Sequence, residues 1–390
     1  MKKFLCFFFC VVLLASAAGC SGQPVAETDT SSVSQATDTE KADKSSSSAK
    51  LPGPPVNAAS PTDPNAVVYD KDMEHKIMVT DVKKGSIAIL DLNKCTAWKD
   101  ITKRKSVVWE WNPYGAKNIR WPNYVGNGID EAKYRYSEYY KSDVILACSS
   151  YGWAAVIKYP ERNVLWEALV PDGPHSIEML PNGDVVVASS GGDLWQTKGM
   201  LFYYPLSSGS DSVYSTLQIP FAHGVQWDPQ KECLWVVQMN GVVGVKVNGL
   251  GTKEGTLSVI EGTEVNFRMD SAGHDLSPMY GNPGKYWVTG QNDLWLFDTE
   301  ALTLTKEYEY RKNYTGKSIK GIAYFPDGTM VRTLTGSDPN ASADCFTTAL
   351  SFITLSTAAK DPSIVNASRW DVRFEDREFY KVRTFCKDYQ

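Results

Sequence analysis

The chain repeats itself, and the repeat constrains its fold more than any other feature. From His175 it reads HSIEML, a PNGD turn, DVVVASS, a glycine-rich gap, MLFYYPL and DSVYSTLQI. These are short runs of β-branched and aromatic residues, four strands with turn formers between them. His223 restarts the order with HGVQWD, CLWVVQM, NGVVGVKVN and TLSVIEG, and His274 with HDLSPMY, YWVTG, DLWLFDT and LTKEYEY. Lys320 opens a further copy (KGIAYF, MVRTLTG, ALSFITLS, RWDVRF), and Lys133 an earlier one (KYRYS, DVILACSS, AAVIKYP, NVLWEAL). The restart points at 133, 175, 223, 274 and 320 stand roughly 42 to 51 residues apart. That matches the spacing of β-propeller blades, about 40–50 residues.

The first copy, KIMVTD, SIAILDL and SVVWEW, shows three strands where the others show four. The missing strand is FYKVRTF, around Lys381, at the far end of the sequence. A C-terminal strand completing the N-terminal blade leaves a ring with no open sheet edge. The expected fold is therefore all-β, a six-bladed β-propeller over residues 65–390, and one domain because the ring spans the whole stretch. A β-sandwich or a two-domain all-β chain would also show short strands. The recurring four-strand order and the split first blade argue against both.

The segments before the repeat have another character. Met1-Lys2-Lys3 followed by an apolar run from Phe4 to about Ala18 reads as a signal peptide over residues 1–19. The run is short of the roughly 20 apolar residues a membrane span needs. It ends in Ala17-Ala18-Gly19-Cys20, which resembles a lipobox with Cys20 as the lipidated residue. Ala17 stands where Leu is usual, which leaves cleavage by the ordinary signal peptidase open. Residues 20–64 are Ser, Thr, Ala, Asp, Lys and Pro with hardly a large apolar side chain. Such a segment cannot bury enough surface to offset its chain entropy, so it reads as a disordered tether. The expectation is a propeller outside the cytoplasm, in the cell envelope, held to the membrane by a lipid alone.

Charge and cysteine usage exclude some classes of function. A formal net charge of -5 gives no support for nucleic-acid binding. Aromatic residues make up 12% of the chain, including 12 Trp and 20 Tyr, which suits β architecture and carbohydrate-stacking surfaces. Cys95, Cys148, Cys233, Cys345 and Cys386 are odd in number, irregularly spaced and without a CxxC pattern. They read as buried free thiols rather than a metal site or a disulfide framework. No GxSxG, Walker loop, dinucleotide fingerprint, HExxH or EF-hand loop occurs.

The candidate site comes from the repeat itself. Lys133, His175, His223, His274, Lys320 and Lys381 open the first strands, which in a propeller line the central channel. The chain has four histidines and three share this position. Arg135 and Arg383, two residues beyond Lys133 and Lys381, face the same way in an extended strand. Converging cations would hold a carboxylate, sulfate or phosphate. Alternatively, His175, His223 and His274 would hold a divalent metal such as Mn or Zn, with neutral imidazoles as ligands. Glu131, Glu178 and Asp275 lie close in sequence and would temper the charge or fix imidazole tautomers. A third option is a wet channel lining with no ligand. His75 reads as an exposed loop residue, and Tyr134 and Tyr136 as packing between blades. Trp98, Trp109, Trp111, Trp121 and Trp153 read as core, with Trp121 also placed to stack on a sugar above the site.

The phrases DEAKYRYS, PHSIEMLPNGDVVVASS, AHGVQWDP, GHDLSPMYG…YWVTG and FYKVRTF together resemble a family of secreted bacterial six-bladed propellers catalogued as domain of unknown function 6528. The likeness covers roughly residues 65 to 390 and implies the fold and the blade count; it carries no activity. More distantly, PHSIEMLPNG resembles a phrase of arylsulfotransferase propellers. Histidine-lined channels also resemble those of oligogalacturonate lyases, which implies manganese on histidines there. Neither likeness extends to catalytic residues. The leading expectation is a binding protein for an anionic small molecule or acidic glycan, expected to be a monomer. The alternatives are a metal-assisted lyase or hydrolase on such a glycan, and a protein-interaction scaffold.

Overall fold

The apolar runs of the repeat are almost uninterrupted in the second and third strands and alternate only in the fourth. In a computed structural model of the chain the reason is position. It describes residues 74–126, 128–191, 198–267, 272–290, 293–306, 318–336, 338–354 and 368–390, so the signal peptide and tether lie outside the described residues. Strands such as Val185–Ser189 and Cys233–Gln238 are buried along their whole length. Both their faces are covered by neighbouring sheets, which removes any polar face. The outermost strands Ser215–Gln218 and Thr303–Lys306 alternate half-buried and exposed residues, since one face meets water.

The strands form six antiparallel sheets, each a blade, in chain order from inside to outside. Blade one is the exception: Phe379–Thr384 lies innermost, against Lys76–Asp81, followed by Ser86–Asp91 and Val107–Trp111. The register Met78↔Arg383 and Val79↔Val382 closes the ring as the repeat predicts. Blades two to six occupy residues 131–169, 174–218, 224–259, 273–306 and 318–373, and Val265–Asn266 adds a short fifth strand to blade four.

Six hydrophobic clusters hold the ring, and each joins two neighbouring blades. Val144, Val156 and Trp166 of blade two pack with Ile177, Val187 and Phe202 of blade three. Ile77, Leu90 and Val382 of blade one pack with Phe325, Val331 and Phe352 of blade six. Trp109, Trp111 and Trp153 are buried between blades one and two, as expected. The side chain of Trp98 lies outside the described ones. Four of the five thiols are buried, and Cys95, Cys148, Cys233 and Cys386 form no disulfide. No described helix is long and apolar enough to cross a membrane.

Candidate functional site

The inner strands Phe379–Thr384, Glu131–Ser137, Pro174–Met179, Gly224–Asp228, Gly273–Pro278 and Ser318–Tyr324 surround the channel. They approach closely at two glycines. A Cβ on Gly224 would lie 2.9 Å from Leu276 N, and one on Gly321 would lie 2.6 Å from Val382 N. The HG and KG pairs of the repeat thus follow from backbone crowding at the axis.

Three inner strands carry a register shift centred on the residue that opens the repeat, between Pro174 and Ser176, Gly273 and Asp275, and Ile319 and Gly321, and the closing strand carries another beside Lys381, opposite Val79 to Asp81. His175, His274 and Lys320 are the extra residues. A bulge re-aims a side chain away from the regular pleat, and here it sends them towards one group at the upper end of the channel, where the inner strands begin. His223 joins them from the residue just before its strand, its N–H held by Val237 O at 3.0 Å.

In this upper group the His175 and His223 ring centroids are 4.1 Å apart, and those of His223 and His274 are 5.0 Å apart. Lys320 Nζ lies 3.1 Å from His274 Nε2 and 3.3 Å from Nδ1. Phe221 stacks on His223 at 4.3 Å with a φ of 56°, a left-handed conformation that is strained for a bulky residue. All five side chains are buried. Burial pushes the His175 pKa down to about 3, against the pull of the Gly173 carbonyl and with help from Lys381 and Lys320. His223 and His274 are also held well below their ordinary value, chiefly by burial. The imidazoles are therefore neutral at pH 7. His175 Nδ1 lies 2.7 Å from Gly173 O, a carbonyl that can only accept, so the proton sits on Nδ1 and Nε2 carries the lone pair. Among the described residues His223 has no hydrogen-bond partner at either ring nitrogen.

Deeper in the channel the chemistry reverses. Arg135 grips Glu178 with two bonds of 2.8 Å, and Lys133 reaches the same carboxylate at 3.3 Å. Arg383 bonds Asp275 and, at 2.6 Å, Glu131. Lys381 lies 3.2 Å from Glu131 and 3.3 Å from Asp275. Burial opposes ionisation of Glu131, but Arg383, Lys381 and Lys133 outweigh it and hold the carboxyl down at about 2. Glu178 is likewise held low, with Arg135 and Lys133 overcoming its burial. Below this network the C-terminal residues cross the channel end. Tyr389 lies under the Arg135 guanidinium at 4.8 Å, its hydroxyl donates to Met179 O and its carbonyl accepts from Gln226.

A family model described as "Family of unknown function (DUF6528)" matches residues 55–339. The chain belongs to the DUF6528 family. No curated protein matches it. Among solved structures, a chain of the nidogen/laminin complex is 10% identical with a TM-score of 0.50, covering 81% of this chain and all of that one. The β-propeller domain of Cps50 (Swd1) from Myceliophteria thermophila is 9% identical with a TM-score of 0.44, covering 77% and 84%. These likenesses concern the fold alone.

For this DUF6528 member the eight predicted basic residues do meet in one channel, but not as one ring. Lys133, Arg135, Lys381 and Arg383 belong to the deep network and are each paired with at least one carboxylate, so the expected mouth of converging cations is corrected to one of neutral imidazoles beside Lys320. The repeat could not show this, because bulges re-aim His175, His274 and Lys320 while Lys133 stays regularly paired with Leu146. Glu131, Glu178 and Asp275 temper charge as expected; the His175 tautomer is instead set by Gly173. As arranged, His175 and His223 face each other at a 33° tilt rather than aiming nitrogens at one point. Among the described residues no group of three or more His, Cys, Asp or Glu is placed to hold a metal.

Other expectations also change. His75 is fully buried, 2.8 Å from Asp327 and against Phe325, rather than in an exposed loop. Tyr134 packs on Phe385 and Tyr159, but Tyr136 is exposed. Trp121 is half-buried against the cluster of blades one and two, with Arg120 over its ring at 4.3 Å, which removes the stacking surface assigned to it. Phe221 and Gly173 were missed. The phrases FAHG and DGPH place each two residues before a histidine, and that offset was the available signal.

Proposed function

We propose that this protein is an extracytoplasmic, lipid-anchored binding protein whose propeller takes an acidic glycan or a similar hydroxylated anion at the upper mouth. One observation carries the reading: His223 is fully buried at the centre of the cluster, and among the described residues both its ring nitrogens are without a hydrogen-bond partner. Buried polar atoms left unpaired cost free energy, and a ligand reaching them recovers it.

The surroundings fit a molecule that is both acidic and hydroxylated. Lys320 supplies a cation for a carboxylate. Neutral imidazoles can both donate and accept, which suits hydroxyl groups. The Lys2-Lys3 signal and Cys20 support the location. The test is calorimetric titration of galacturonate and glucuronate, with their oligomers, into the purified chain and into a His175→Ala/His223→Ala/His274→Ala variant. Saturable binding to the first and none to the second is expected. Equal binding to both would make the reading wrong.

A further inference from the structure

The deep network does not balance locally. Glu178 is paired with both Lys133 and Arg135, and no other carboxylate among the described residues pairs with either. Both cations are buried. Beside them is a chamber of about 10 Å³, lined by Lys133, Arg135 and Arg383 with the neutral side chains of Gln226, Ser277 and Tyr280, and by no carboxylate. Arg383 adds a second sign: its Nε is buried without a hydrogen-bond partner among the described residues, although both its terminal nitrogens donate to carboxylates, Nη1 to Asp275 and Nη2 to Glu131 and Asp275. Burying an uncompensated charge is costly unless a counter-charge is present.

We propose that the lower channel holds one monovalent anion the size of chloride, between Lys133, Arg135 and Arg383. The chamber admits a particle of water size or slightly above, which excludes sulfate, phosphate and any sugar acid. Three cationic side chains and an unpaired guanidinium N–H supply the field and a directed donor. The C-terminal residues hold two of the lining side chains, with Tyr389 against the Arg135 guanidinium and Asp388 O accepting from the Tyr280 hydroxyl, so the ion is a structural counter-charge rather than a passing ligand. This site is independent of the upper mouth and of what binds there.

The test is thermal unfolding of the full chain in sodium chloride or bromide against sodium gluconate at equal ionic strength, gluconate being too large to enter. The midpoint should rise by about 2 °C per tenfold increase in halide once the site begins to fill. In a Lys133→Met variant, which removes the surplus charge and keeps the side-chain length, that halide slope should vanish. Coinciding midpoints in chloride and gluconate would overturn the proposal; they are the result if Lys133 sheds its proton instead. A halide slope that survives in Lys133→Met would overturn it as well. Should that variant fail to fold, bromide soaked into crystals of the unaltered chain decides: an anomalous peak in the chamber is expected, and no peak overturns the assignment.

Discussion

His175 and Glu178 stand on one strand, Pro174–Met179, yet belong to opposite solutions of one problem. Both bury an ionisable side chain completely enough that water cannot solvate its charge. At His175, as at His223 and His274, the group gives up the charge. At Glu178, as at Glu131, it keeps the charge and takes partners. The difference lies in what faces each residue across the channel: other imidazoles above, guanidinium and ammonium groups below. A shed charge leaves nitrogens able to meet a ligand, whereas a paired one ties the blades together. The upper group thus reads as the place for binding and the lower as the bolt of the ring, since its pairs join blade two to three and blade one to two and five.

If the lower group is a bolt, removing one carboxylate should be the most damaging single change. Glu178→Ala leaves Lys133 and Arg135 buried and unmatched, and a loss of about 3–5 kcal/mol is expected by urea unfolding. A loss below about 1 kcal/mol would mean the pair is not held as described.

Acid should separate the two regions in a second way. A histidine with a depressed folded pKa costs nothing above its ordinary value of 6.5. Below that value the unfolded chain gains protons that the folded chain refuses, so stability falls until the folded pKa is reached. For His175, at about 3, the loss between pH 6.5 and 5 is about 2 kcal/mol. His223 and His274 act in the same direction. Glu131 works in a lower window. Its depressed pKa contributes stability that is complete above the unfolded carboxyl value of about 4.3 and fades as pH falls through about 2. Urea midpoints measured from pH 8 to 3 should therefore decline in two phases. Replacing the three histidines should remove the first phase and leave the second.

How much of this was legible beforehand follows from what a repeat can encode. Strand order, blade count and the closing strand around Lys381 were readable because they rest on apolar period and turn residues. That His175, His223 and His274 would meet was readable from their shared offset. The sorting of the basic residues into two groups was not. The aim of His175, His274 and Lys320 is set by one-residue bulges, and no local composition marks a bulge. His75 was misread for a related reason: its partner Asp327 stands in another blade, far away in sequence.

The floor of the channel offers a smaller test. Tyr389→Ala removes a cation–π contact with Arg135, worth about 0.5–1 kcal/mol, and one hydroxyl bond to Met179 O, worth about 1 kcal/mol. A loss of about 1–2 kcal/mol is expected in the same unfolding assay. A loss as large as that of Glu178→Ala would place the C-terminal residues within the bolt rather than over it.

The smallest expected effect is the most telling. His223 is as deeply buried as Glu178, so burial alone predicts equal damage when either is replaced. The hydrogen bonds predict otherwise. Truncating Glu178 strands two cations, while His223→Leu strands nothing, because neither ring nitrogen has a partner to lose. The substitution also removes two unpaired polar atoms from the interior, which offsets the lost contacts with His175 and Phe221. Stability should change by less than about 1 kcal/mol in either direction, while titrated uronate should no longer bind. A strongly destabilised His223→Leu chain would show that the imidazole holds the fold together. The two regions would then be one structural core, and the contrast on which the binding reading rests would disappear.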